Sequence, residues 1–214
     1  MIQNDTFILS KGGWLPVALV TTLFLFFTIT TLHLFQFVSG ALLIGLLLIY
    51  RNPERSTTMN EPNSIISSVD GVILSIEESV IDTKKMKKVT VLNSLWDVSM
   101  LRAPFDGVVD GFQTRHGVSL PLYSPLSETL NEKAVLSFRS MNGDEVFIEH
   151  MSAQNCFSIA IEAENEQKIK EGGRYGFLAK GRTTIYLPDS ATIMINPGSN
   201  VRAGESVIGR FASA

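Results

Sequence analysis

A chain of 214 residues with a mean hydropathy of +0.19 and only 18% charged side chains is more apolar than an ordinary soluble domain, where roughly a quarter of residues are charged. Its formal net charge of −3 and pI near 5.6 supply no basic field for nucleic acid. The one cysteine excludes a disulfide framework, and His33, His116 and His150 form no HxH or HExxH pair that would hold a metal.

The apolar excess comes first in the chain. Between Lys11 and Arg51 the sequence carries no formal charge apart from what His33 can take up. That run is longer than the about 7–15 apolar residues of a signal peptide and exceeds the about 20 needed for one span. A hydrophobic helical hairpin is expected over about 14–50, within a membrane anchor comprising residues 1–50. Its first pass runs from Leu15 to about Thr31, its second from about Val38 to Tyr50, and Leu32–Phe37 holds the turn. Each pass is short, so two thin crossings and a dip into one leaflet fit equally. Lys11, Arg51 and Arg55 at the ends predict a cytoplasmic side for both, and Trp14 and Tyr50 suit the interface. The expected location is the cytoplasmic (inner) membrane, with the remainder of the chain on its cytoplasmic side.

Residues 51–65 read as a polar linker containing Pro62, and 66–214 as a mainly β (α+β) domain. Strand-like runs bounded by turn residues occur at Val69–Ile76, Lys88–Leu92, Gly107–Phe112, Ala134–Arg139, Glu145–His150, Phe157–Glu162, Thr183–Leu187 and Ala191–Ile195. Short helical turns are expected near Leu95–Met100 and Glu164–Lys170. The Gly-x-x-Val-x-x-Gly-x-x-Val rhythm over Gly198–Val207 predicts a barrel-sandwich or lipoyl-like hairpin with glycines at its turns. Lys84–Lys88, with four lysines around Met86, fits a site for anionic headgroups and equally a solvated hairpin turn. Cys156 is expected to be a buried small apolar residue.

Five motifs then fall in one order: Arg51-Asn52-Pro53-Glu54-Arg55 after the hairpin, Ser67-Ser68-Val69-Asp70-Gly71, Trp96-Asp97-Val98-Ser99-Met100-Leu101-Arg102-Ala103-Pro104-Phe105-Asp106-Gly107, Asn131-Glu132-Lys133 and Tyr186-Leu187-Pro188. Together they resemble the short bacterial form of phosphatidylserine decarboxylase, over about Trp14 to Ile208. The resemblance implies conversion of phosphatidylserine to phosphatidylethanolamine and CO2 at a membrane surface. It also implies a pyruvoyl group made when a serine attacks the carbonyl of the glycine before it, with a base and an orienting carboxylate in support. Asp70 matches the family's aspartate, and Arg102, Pro104 and Gly107 are retained around Asp97-Val98-Ser99.

Two positions depart from that pattern. Where the processing Gly-Ser is expected, the chain reads Gly181-Arg182, and moving the register by one puts Gly181 itself in the serine column. Where the family has Asp-Val-His, it reads Asp97-Val98-Ser99, a hydroxyl without basicity near neutral pH. These losses point to a non-processing, lipid-binding or regulatory paralogue, with no cofactor expected and a self-derived pyruvoyl group only if the chain is cleaved. The partners implied are membrane phosphatidylserine and a second copy or an active paralogue. Two other readings stand beside it: an active decarboxylase cleaved at Gly198-Ser199, and a non-enzymatic barrel-sandwich membrane adaptor. His116 and His150 are candidates for a displaced base.

Overall fold

A computed structural model describes residues 9–55, 63–81 and 83–212. The chain forms two compact units, Asp5–Glu54 and a larger one comprising Arg55–Ala214. The expected linker is divided between them: residues 56–62 lie outside the described residues, and its end, Ser64–Ile66, is a strand.

The first unit is a helical hairpin, α1 (Trp14–Ile29) and α2 (His33–Ile49). Lys11–Ile29 is long and apolar enough to cross a membrane, whereas His33–Ile49 is shorter. The turn lies at Thr30–Leu32 and not at Leu32–Phe37, with Thr31 at φ 57°. Successive threonines break the helix there by bonding locally, Thr30 to the Phe26 carbonyl at 3.0 Å and Thr31 to that of Thr30 at 2.7 Å. Elsewhere the hydroxyls of Thr21, Thr28 and Ser39 donate to the carbonyl four residues back at 2.7–2.8 Å, which satisfies them without water. Phe27 stacks on Phe35 across the turn.

The larger unit is built from β1 (Ser64–Ile66), β2 (Gly71–Ile81), β3 (Lys84–Asn93), β4 (Met100–Arg102), β5 (Gly107–Arg115), β6 (Lys133–Ser140), β7 (Glu145–Ser152), β8 (Ala160–Ile161), β9 (Gln167–Ile169), β10 (Arg174–Phe177), β11 (Gly181–Pro188), β12 (Thr192–Ile193), β13 (Asn200–Val201) and β14 (Val207–Arg210), with a helical turn α3 (Ser127–Leu130). Eight strands pair antiparallel in the order β13-β2-β3-β11-β7-β6-β5-β9, and two three-stranded sheets run β1-β14-β12 and β4-β10-β8. Alternation sets the core: Val89, Val91, Leu136, Ile148 and Ile185 point inward from the large sheet, and Phe105, Tyr175 and Phe211 meet them. The architecture is mainly β with an apolar helical segment ahead of it.

Three local expectations are corrected. Phe157–Glu162 keeps only a two-residue strand, and Glu164–Lys170 becomes strand β9 in place of a helical turn, because it pairs with the start of β5. The glycine rhythm is real, with Gly198 and Gly204 at φ 85° and 79°, but it is not a hairpin. β13 joins the large sheet beside β2, while β14 joins β1 and β12, so this arm ties two sheets together.

Candidate functional site

Asp70 ends the connection from β1 to β2 and is buried. The Arg55 guanidinium grips it with both terminal nitrogens, Nη1 on Oδ1 and Nη2 on Oδ2 at 2.8 Å. The backbone N–H of Ala203 donates to Oδ1 at 2.8 Å and that of Val98 to Oδ2 at 3.3 Å. Arg55 also donates to the Ala203 carbonyl at 2.9 Å, and its Nε lies 3.7 Å from Glu205. Burial works against the Arg55 charge, yet the hydrogen bond and charge of Asp70, with Glu205, outweigh it and raise its pKa above the ordinary value. Arg55 thus belongs to the β unit, clasping Asp70.

Ser99 stands just before β4 and is buried. Its carbonyl accepts the Leu178 N–H at 2.8 Å, and Asn93 Nδ2 donates to the Leu178 carbonyl at 3.2 Å. The Ser99 hydroxyl has no hydrogen-bond partner among the described residues. Asp70, Val98–Ser99 and the Leu178–Gly181 approach to β11 are therefore brought together, as the resemblance requires of an aspartate, a base and a processing segment. Among the described residues no histidine bonds to Asp70: its donors are Arg55 and the amides of Val98 and Ala203. At Gly181, pressed between β3 and β7, an added Cβ would stand 2.0 Å from the Met151 carbonyl oxygen.

The remaining candidates lie apart. Arg182 leaves β11 on the opposite face, 2.6 Å from Glu128 and 3.9 Å from Glu149, and Lys133 reaches both carboxylates at 3.0 Å. Burial opposes the Glu128 charge, but hydrogen bonds from Lys133 and Arg182 hold its pKa below the usual value. Arg102 is buried: its N–H donates to the Ser68 carbonyl at 2.9 Å and its Nη1 to that of Gly172 at 3.0 Å. Ser199 forms the turn before β13, its carbonyl accepting the Ile73 N–H at 2.9 Å, and among the described residues no histidine bonds to it or to Gly198. Trp14 opens α1, Tyr50 follows α2, and Arg51 donates to the Leu48 carbonyl at 3.4 Å.

Neither histidine is a displaced base beside Asp70. His116 is exposed, 3.6 Å from Glu132. His150 is wholly buried between Thr183 Oγ1 and the Tyr175 hydroxyl, each 2.8 Å away, and burial lowers its pKa to about 3. Three of the four lysines at 84–88 are engaged: Lys84 with Glu145 at 2.7 Å, Lys87 with the Ala191 carbonyl at 2.7 Å, and Lys88 with Glu77 at 3.5 Å. Cys156 is exposed, not buried, in the loop that follows β7.

Asn131-Glu132-Lys133 has a structural explanation that sequence reasoning missed. Asn131 bonds to the Leu120 N–H and carbonyl at 2.8 and 2.9 Å and donates to the Ser152 carbonyl at 2.9 Å, while Glu132 accepts the Ile159 N–H at 3.0 Å. The signal was an amide and a carboxylate at the entry to the strand run that begins at Ala134, where burial obliges both to find partners.

The family model described as phosphatidylserine decarboxylase matches residues 46–209. The chain is similar to the phosphatidylserine decarboxylase proenzyme of Amoebophilus asiaticus, 29% identical over 177 residues and covering 80% of this chain and 78% of that protein. It is similar to the proenzyme of Geobacter metallireducens, 28% identical over 79% of each chain. With that of Neorickettsia sennetsu it shares 26% identity over 210 residues, 94% of this chain and 92% of the relative.

Proposed function

The chain belongs to the phosphatidylserine decarboxylase family, and from that premise we propose that it is a membrane-attached member which does not process itself and instead binds the family's aminophospholipid. The observation that carries this reading is the processing position. A pyruvoyl group derives from a serine, and in either register the position holds none: Arg182 is committed to Glu128, and at Gly181 the Met151 carbonyl stands where a side chain would go. The residues present do not fit the group. Asp70, saturated by Arg55 and two amides, has no lone-pair direction turned toward a base. Retention of the clasp, of Arg102 and of the Asn131–Lys133 motif maintains the scaffold on which lipid recognition would rest.

Membrane attachment is supported by the apolar hairpin, whose Leu15, Ile29, Leu34 and Phe37 are exposed. Lys11 and Arg51 at its ends favour the cytoplasmic side of the inner membrane by the excess of positive charge there. The test is intact-mass measurement of full-length protein purified from membranes. One chain near 23.6 kDa is expected, unchanged by Ser199→Ala, with retention of phosphatidylserine vesicles over phosphatidylcholine. Two chains, or CO2 release from phosphatidylserine, would overturn the proposal.

A further inference from the structure

The outer face of the large sheet has one apolar corner. Val72 and Leu92 are direct partners across β2 and β3, and Leu74 follows Val72 at the bulge between Ile73 and Ser75. Their exposures are 40%, 37% and 57%, and that of Trp96, four residues beyond Leu92, is 76%. The inward neighbours Ile73 and Val91 are buried, so Val72 and Leu92 face out by simple alternation, while Leu74 stands at the bulge and Trp96 in the turn after β3. A sheet face in water carries polar residues there, as this one does farther across at Lys133, Glu149 and Arg182. Contiguous exposed apolar side chains mark a contact.

We propose that Val72, Leu74, Leu92 and Trp96 form a shallow membrane-insertion face that seats the β unit on a lipid surface. This deepens the membrane-attached reading above and rests on it. Four side chains are too few for a stable protein partner, which takes about 800 Å² and 20–30 residues on each side. They suit entry into the headgroup boundary, where aliphatic groups dip and an indole lies at the interface. The cations beside the patch are already paired: Arg182, opposite Leu92, is held by Glu128 and Glu149, and Arg202, exposed two residues past Asn200, lies 3.5 Å from Glu205. The carboxylate after Trp96, Asp97, is turned onto the Ser94 N–H at 2.7 Å, so the seat rests on apolar contact. The face also adjoins the candidate site: Val72 lies two residues after Asp70 and Trp96 three before Ser99. Seating it on lipid brings the Asp70–Ser99 end of the sheet to the level of phospholipid headgroups.

The chain has two tryptophans, Trp14 in the hairpin and Trp96 in this face, so each serves as a separate reporter in the full-length protein. Trp14→Phe and Trp96→Phe variants are reconstituted into phosphatidylcholine–phosphatidylglycerol vesicles whose phosphatidylcholine carries brominated acyl chains. The expected result is a blue shift and bromine quenching of Trp96 comparable with that of Trp14. Adding Leu74→Gln and Leu92→Gln should abolish the Trp96 loss and leave the Trp14 loss intact, which also reports that the protein remains inserted. Quenching of Trp14 alone means that the face meets protein or water, and it overturns this inference while sparing membrane attachment. Absence of quenching at both overturns both.

Discussion

Arg55 and Asp70 form the tightest charged contact near the candidate site, and both are largely withdrawn from water. Removing one partner of such a pair strands the other, at a cost of about 3–5 kcal/mol. Arg55→Ala should therefore lower the melting temperature of the full-length protein markedly, while Arg202→Ala, on an exposed side chain 3.5 Å from Glu205, should leave it nearly unchanged. Arg55→Lys should recover little, because an ammonium cannot reproduce the two-point grip. His150 makes a second prediction. Its pKa is lowered from 6.5 to about 3 by burial, so between those values the unfolded chain takes up a proton that the fold excludes. Stability should fall as pH drops below about 6.5, approaching about 1.4 kcal/mol per pH unit. In His150→Gln, denaturant melts at a series of pH values should lack that component; an undiminished slope would contradict the assignment.

At the scale of elements, pairings far apart in sequence give the family motifs a structural role. Asn131 ties the stretch after β5 to the end of β7, and the β13–β14 arm spans two sheets and supplies the Ala203 amide to Asp70. Asn131→Ala leaves buried backbone groups without partners at about 1–3 kcal/mol each. Amide exchange over residues 118–130 should accelerate in that variant, while exchange in β3 and β11 should hold until global unfolding. The long strands of the large sheet were legible from period-two alternation, as at β6, β7 and β11, whereas its short edge strands β9 and β13 were not. β4, β10 and β1 were not, since three or four residues buried along their length show no alternation. For a related reason Gly198–Val207 resembles a hairpin in sequence: turn glycines announce a reversal but do not say which sheet receives the next strand.

For the whole molecule, membrane attachment makes one direct prediction. Full-length protein should stay with membranes through an alkaline carbonate wash, and a reporter at its carboxyl terminus should be accessible from the cytoplasmic side only. Reversal of the charges at Lys11 and Arg51 should weaken that orientation. The amino-acid sequence by itself determined the apolar hairpin, the mainly β character of the larger unit and the family, because hydropathy, alternation and motif order are properties of neighbouring residues. It also exposed the two departures at Ser99 and Gly181–Arg182. Only the tertiary structure decided what those residues do. Asp70 is taken by Arg55, 15 positions away, and by the amide of Ala203, 133 positions away, and His150 is enclosed between Thr183 and Tyr175. A buried polar group takes whichever partner strand register delivers, and register is a property of the folded sheet.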